Sequence, residues 1–208
     1  MSQVVVVGIG TDVGKTIVSS ILVEKFKCAY WKPVQAGELE NSDSMKIQHY
    51  CSHDVTILPE KYRLKNPYSP HYAAELDEIE IEENKLNIPF SENNILIESA
   101  GGLMVPLNRN LLFIDLIKSW DLSVVLVSKH YLGSINHTML SLEILKTYGI
   151  ELKKLIFIGD EVNLVERASE QAILNRFGIT DFHRIPLTNS LDKNFVKKEA
   201  EKINFDIF

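Results

Sequence analysis

Cysteine is scarce. The 208 residues contain two, Cys28 and Cys51, in no metal-type pairing. That excludes a disulfide framework or a zinc array and predicts a reducing, cytoplasmic setting. No apolar run approaches the ~20 residues a membrane helix needs. No basic segment precedes the first apolar run at 4–7, so the start does not read as a signal peptide. Charge of one sign is not in large excess: 28 acidic against 22 basic side chains leave −6. This argues against nucleic-acid binding and against a polybasic membrane patch. Internal repeats and low-complexity tracts are lacking as well. A soluble chain of this length buries enough surface to fold without covalent staples. We read residues 1–208 as one domain.

Apolar runs of strand length lie at 4–7, 28–31, 95–97, 122–127 and 155–158, with a weaker one at 183–185. Those at 4–7, 122–127 and 155–158 do not alternate with polar residues, as expected for strands covered on both faces. Between them, Ile17, Ile21, Leu22 and Phe26 have helical spacing, as do Leu140, Ile144 and Leu145. A third helix is expected from about Asn163 to Phe177, with Gly178 as its stop. The alternation predicts an α/β fold with a single doubly wound, mostly parallel sheet. The acid-rich stretch 75–94 reads as a solvated surface excursion.

The strongest signal follows the first strand: Gly8-Ile9-Gly10-Thr11-Asp12-Val13-Gly14-Lys15-Thr16. A glycine-rich turn into a helix aims backbone N–H groups at phosphate, and the helix N-terminus adds its positive end. Lys15 supplies charge for the β- and γ-phosphates, and the Thr16 hydroxyl suits Mg²⁺. Five residues separate Gly8 from Gly14, one more than the strict phosphate-loop pattern allows. Gly10 stands where partitioning ATPases place a second lysine, and no Asn-Lys-x-Asp base-reading motif for guanine occurs.

Three further groups belong at the strand C-termini, the ligand edge of such a sheet. Lys32 ends the second strand and reaches toward a transferring phosphoryl group, unless it is an ordinary solvated lysine. Asp43 reads as a metal ligand or as a first-turn helix acid. Glu98 ends the third strand, where a carboxylate opposite a phosphate loop holds Mg²⁺, unless it is a strand-end acid facing solvent, and Gly101-Gly102 behind it permits close approach of a ligand. Beyond the fourth strand, Gly133, Ser134, Ile135 and Asn136 open a helix whose N–H groups suit a carboxylate, although Ser134 or Asn136 would also serve as caps. Pro70 begins another helix. His49 and His53, four apart on an expected helix, offer two metal ligands without the rest of a set.

In order and spacing these motifs resemble the ATP-dependent dethiobiotin synthetases: the five-spaced loop ending Val13-Gly14-Lys15-Thr16, Lys32-Pro33-Val34, Asn41-Ser42-Asp43, Ser69-Pro70-His71, Glu98 before Ala100-Gly101-Gly102, and Leu132-Gly133 before Ile135-Asn136-His137. The resemblance implies a P-loop NTPase fold and ring closure of 7,8-diaminononanoate with CO₂ or bicarbonate, ATP and Mg²⁺. It implies that Lys15 and Lys32 neutralise the γ-phosphate and carbamate, and that Thr16, Asp43 and Glu98 hold Mg²⁺. Thr11 and Asp12 would face the diamine, near Ala36 and Gly101. Gly10 through Thr16, Gly159, Asp160 and Pro186 would surround the nucleotide. A homodimer is implied, with residues 133–136 of one chain completing the other's site. The chain departs from the pattern at Gly10, where Asp is common, at Asp12 for Glu, at Ala36 for a hydroxyl residue, and at Gly159 for the asparagine that reads adenine. The alternatives are a partner-binding regulatory NTPase and a diverged ligase acting on another amine.

Overall fold

The computed structural model describes residues 1–159, 163–188 and 190–208. Nine strands and seven α-helices are seen among them. The strands are β1 Gln3–Gly8, β2 Ala29–Trp31, β3 Val34–Ala36, β4 Ile57–Leu58, β5 Tyr62–Leu64, β6 Ile95–Gly102, β7 Val124–Lys129, β8 Leu152–Ile158 and β9 Phe182–Ile185. The helices are α1 Lys15–Phe26, α2 Asp43–Tyr50, α3 Pro70–Leu76, α4 Phe113–Ser119, α5 Ser134–Tyr148, α6 Leu164–Phe177 and α7 Lys193–Lys202.

Seven strands form one sheet in the order β4-β2-β6-β1-β7-β8-β9, and every pairing is parallel. β3 and β5 make a separate parallel pair. β1 lies at the centre, and Val4, Val5, Val6 and Val7 are all fully buried, which is why that run does not alternate. The chain leaves β1 toward β2 and β6 on one side and reaches β7 on the other. The C-terminal ends of β1, β2 and β6 therefore border a crevice at the switch in strand order.

The helices stop where the residues require it. Asn163 caps α6 by accepting from the Val165 and Glu166 amides, and Gly178 takes the left-handed turn that ends it. The stretch 75–94 departs from expectation in part. Most of it is exposed, Leu76, Ile79 and Phe90 as well as the acids, but Ile81 and Leu86 are fully buried and the Trp120 indole donates to Leu86 O, so the excursion is pinned to the core at two points.

His49 and His53 do not share a helix face either, because α2 ends at Tyr50. His53 instead lies 3.2 Å from Glu24 at the end of α1. Glu24, Cys51 and His53 bring ligand-type atoms within 4.8 Å of one another. Yet the Glu24 carboxylate already accepts from Lys27 Nζ, Ser52 N and Ser52 Oγ, each at 2.7 Å. Burial pushes the Cys51 thiol up to about 12, so it stays protonated. This group stitches α1 to the loop after α2. Burial would raise the Glu24 pKa, but the Lys27 and Ser52 donors outweigh it and bring it down to about 2. A depressed carboxyl stabilises the fold above its unfolded value and loses that contribution as pH falls through the folded one. Glu24→Gln is therefore expected to unfold more easily at neutral pH, by at most about 3 kcal/mol. The gap should shrink as pH drops from about 4.5 toward 2. Urea titrations of both proteins at stepped pH check this; a gap independent of pH would assign the effect to packing.

Candidate active site

The turn leaving β1 is shaped by two glycines. A Cβ on Gly14, whose φ is +89°, would lie 2.3 Å from Ile158 Cδ1, and one on Gly8 would lie 2.6 Å from Val13 Cγ2. Side chains at either position would push the loop off β8 or off itself. α1 then starts at Lys15 with no side-chain cap and no acid in its first turn. Its leading amides thus remain for an anion. Lys15 is buried and donates to Gly10 O at 2.8 Å. Burial, and next the nearby Lys32 charge, bring its pKa down to about 8 against the pull of Glu98, Asp43 and Asp12. A phosphate would restore the missing counter-charge.

Below the loop, Thr16 Oγ1 lies 3.0 Å from both Asp43 Oδ1 and Glu98 Oε1. One hydroxyl has one proton and can donate to only one of these oxygens at a time. A cation among the three would satisfy them together. Octahedral Mg²⁺ with bonds of about 2.0–2.1 Å sets neighbouring ligand oxygens about 2.9 Å apart, and hard oxygen donors are its preferred set. The residues fit that ion. Glu98 is fully buried, and its second oxygen accepts from Tyr30 Oη at 3.1 Å. The Tyr30 phenol is pushed well up, by burial first and then by the Glu98 charge. Lys32 completes the cluster, 4 % exposed, with Nζ at 2.7 Å from Asp43 Oδ2, 3.0 Å from Glu98 Oε1 and 3.1 Å from Ser99 O. Burial alone would lower the Lys32 pKa; the two carboxylates outweigh it and raise it. Burial likewise opposes ionisation of Asp43, and Lys32 overcomes it.

A cavity of about 720 Å³ opens over this cluster. It brings together Thr11, Asp12, Gly14, Lys15 and Thr16 with Lys32, Ala36, Asp43, Glu98 and Gly101. Gly133, Ser134, Ile135 and Asn136 do not line it. Ser134 is turned inward, its Oγ accepting from Tyr131 N and its amide donating to Tyr131 O, so its hydroxyl is engaged within the turn. The other three are exposed on the surface. Tyr30 escaped the sequence reading, although the alternation of a strand places it on the same face as Lys32.

Gly159 also lies outside the cavity lining, at the end of β8. Its amide donates to Ile185 O, tying it to the segment that carries the exposed Pro186. Asp160 lies outside the described residues. A Cβ at Gly159 would meet His130 Cδ2 at 2.5 Å and Glu166 Oε2 at 2.6 Å. A base-reading asparagine is thus precluded unless those side chains move. His130 stacks on Phe157 and lies 3.0 Å from Glu170 Oε1, while Glu170 also accepts from Arg184 Nε at 2.7 Å. These hydrogen bonds hold the Glu170 carboxyl below its ordinary value against the effect of burial. Neither His130 nor Glu170 carried a sequence signal beyond His130 following an apolar run.

The family model described as an AAA domain matches residues 2–194. The ATP-dependent dethiobiotin synthetase BioD of Christiangramia forsetii is 47 % identical over 198 residues, spanning 95 % of this chain and 93 % of that one. The protein of the same name from Rhodopseudomonas palustris strain BisB18 is 41 % identical over 205 residues, spanning 98 % and 96 %. Among solved structures, a ParA family ATPase from Chlorobium tepidum TLS superposes with a TM-score of 0.60 at 11 % identity, covering 97 % of this chain and 99 % of that one. The Pyrococcus furiosus cell division ATPase MinD gives 0.54 at 13 %, covering 97 % and 98 %. At such identities these two structures speak for the fold alone, a doubly wound P-loop sheet.

Proposed function

This chain belongs to the ATP-dependent dethiobiotin synthetase family, and from that premise we propose that its cavity closes a cyclic urea on 7,8-diaminononanoate using CO₂ and Mg-ATP. The observation that carries the reading is the convergence of Lys15, Lys32, Thr16, Asp43 and Glu98 on one cavity beneath the phosphate loop. One amine adds to CO₂ and loses a proton, giving a carbamate. A carbamate oxygen then attacks the γ-phosphorus and ADP departs. The second amine attacks the carbonyl carbon, loses its proton and expels phosphate.

The difficulty is electrostatic, since two anions must meet before phosphorus changes hands. Lys15 and Lys32 offset that repulsion. Mg²⁺, held by Thr16, Asp43 and Glu98, would neutralise phosphate charge. Thr11 and Asp12 orient the diamine, Asp12 by attracting an amine, with Ala36 and Gly101 as walls. Gly10, Val13 and Gly14 cradle the phosphates, and Gly159 and Pro186 border the base. The whole chain acts as one ligase domain. Its place in the cytoplasm is part of the same proposal; among the described residues no helix is long and apolar enough to cross a membrane.

The partner in this reading is a second copy. Supporting it, Tyr131, Leu132, Ile135 and Leu140 are all exposed around the start of α5, next to Asn136, which the cavity of its own chain does not use. Residues 133–136 would then bind the substrate carboxylate across the interface. Mixing Lys15→Ala chains with Asn136→Ala chains tests this. Half the dimers should be mixed, each with one intact site, so about a quarter of wild-type turnover is expected. Demonstrated heterodimers without turnover would sink the shared site.

Mass spectrometry of dethiobiotin formed from the diamine, bicarbonate and Mg²⁺, with ATP, GTP and CTP in parallel, tests the activity. Product with ATP is expected. A folded protein that binds nucleotide yet forms no product would shift the reading to another amine or a regulatory role.

A further inference from the structure

An ammonium group has three N–H donors, and Lys32 has three acceptors around it: Asp43 Oδ2, Glu98 Oε1 and Ser99 O. In this arrangement none is left for a phosphate or a carbamate. Two of the acceptors belong to the carboxylates of the proposed metal set, and Glu98 Oε1 also receives the Thr16 contact. Lys32 and a divalent cation therefore draw on the same oxygens, and each lies within a few ångströms of the other's position. Like charges so placed in a buried site repel strongly.

We propose that Lys32 is an internal counter-ion that competes with the divalent metal for Asp43 and Glu98, and that metal binding releases it toward the phosphoryl group. The main-chain oxygen of Ser99 would remain as the pivot. Metal loading and engagement of the anionic substrates are thereby coupled through one side chain: the metal supplies the carboxylates with charge, and Lys32 gains free N–H donors. The device gives the site a neutralising cation in either condition, so the two carboxylates never lie buried without one. It rests on the metal set assigned above and goes beyond it, because that assignment alone makes the two cations neighbours and says nothing of exchange.

The experiment measures Mn²⁺ binding to the nucleotide-free, full-length protein by electron paramagnetic resonance, together with thermal unfolding. Lys32→Met is expected to bind Mn²⁺ about tenfold tighter than wild type or better. It should unfold earlier than wild type in chelator and gain more from saturating Mn²⁺. Adding Glu98→Gln should erase the tighter binding. If Lys32→Met does not fold, Lys32→Gln carries the same comparison, since its amide still donates to neighbouring oxygens without a charge. Equal or weaker Mn²⁺ affinity in the folded variant overturns the exchange. Loss of Mn²⁺ binding in every variant overturns it too, together with the metal set. No product is measured, so the outcome stands whether or not the dethiobiotin assay succeeds.

Discussion

Lys15→Ala is expected to lower turnover by about a thousandfold while the protein unfolds no earlier than wild type. The two halves have one origin. Lys15 is buried, and its pKa is down to about 8, by burial first and by Lys32 next. The folded protein therefore holds that charge at neutral pH against a penalty of about 3 kcal/mol, the free-energy equivalent of the shift. Deleting it relieves the penalty, and the lost stem packing offsets part of the gain. The activity loss arises because the transition state spreads charge over the phosphoryl oxygens at the end of the loop. Among the described residues no other cation has its ammonium inside the turn: Lys32 is engaged by Asp43, Glu98 and Ser99, and Lys46 is paired with Glu38. Steady-state kinetics and a denaturation curve check both halves. A loss under about tenfold would place the main phosphate neutralisation elsewhere. An early unfolding midpoint would show that the lysine supports the loop, and the kinetics would then report folding.

The phosphate loop was legible because its function lies in local backbone geometry, and local geometry is written in adjacent residues. Gly8, Gly14, Lys15 and Thr16 need no distant partner to be recognised. Lys32, Asp43 and Glu98 were each legible as strand-end or helix-start residues, but each also had an ordinary solvent-facing reading. Only the fold brings them together, placing Lys32, 4 % exposed, with its ammonium 2.7 Å from one carboxylate and 3.0 Å from the other. β3, β4 and β5 were missed because strands of two or three residues are too short to display a period. The burial of Ile81 and Leu86 was missed for a related reason. Two apolar residues five apart among acids match neither helix nor strand spacing, and what buries them is the rest of the fold. The group of His130, Glu170 and Arg184 beside Gly159 links residues 40 and 14 positions apart, separations at which one sequence carries no pattern.

Removing the charge of Glu98 should have the second large effect, and the choice of substitution separates its causes. Glu98→Ala leaves Lys32 buried with one carboxylate instead of two and leaves Tyr30 Oη without its acceptor. Breaking a buried pair from one side costs about 3–5 kcal/mol, so this variant should lose much of its stability. Glu98→Gln keeps the shape and an oxygen for Lys32, while its amide can donate to Tyr30 Oη, which accepts as readily as it donates. Its stability loss should be smaller, yet turnover should still fall by about a hundredfold or more, because a neutral amide binds Mg²⁺ poorly. Glu98→Asp keeps the charge but is one methylene short of Thr16 Oγ1, now 3.0 Å away; raised Mg²⁺ should recover part of its turnover, and should recover none in Glu98→Gln. Turnover against Mg²⁺ concentration, with urea unfolding of the same three proteins, reads all of this. If Glu98→Gln keeps turnover within about threefold of wild type, Glu98 holds Lys32 and Tyr30 in place and the metal relies on Thr16 and Asp43 alone. If all three lose turnover in proportion to lost stability, Glu98 acts through the fold.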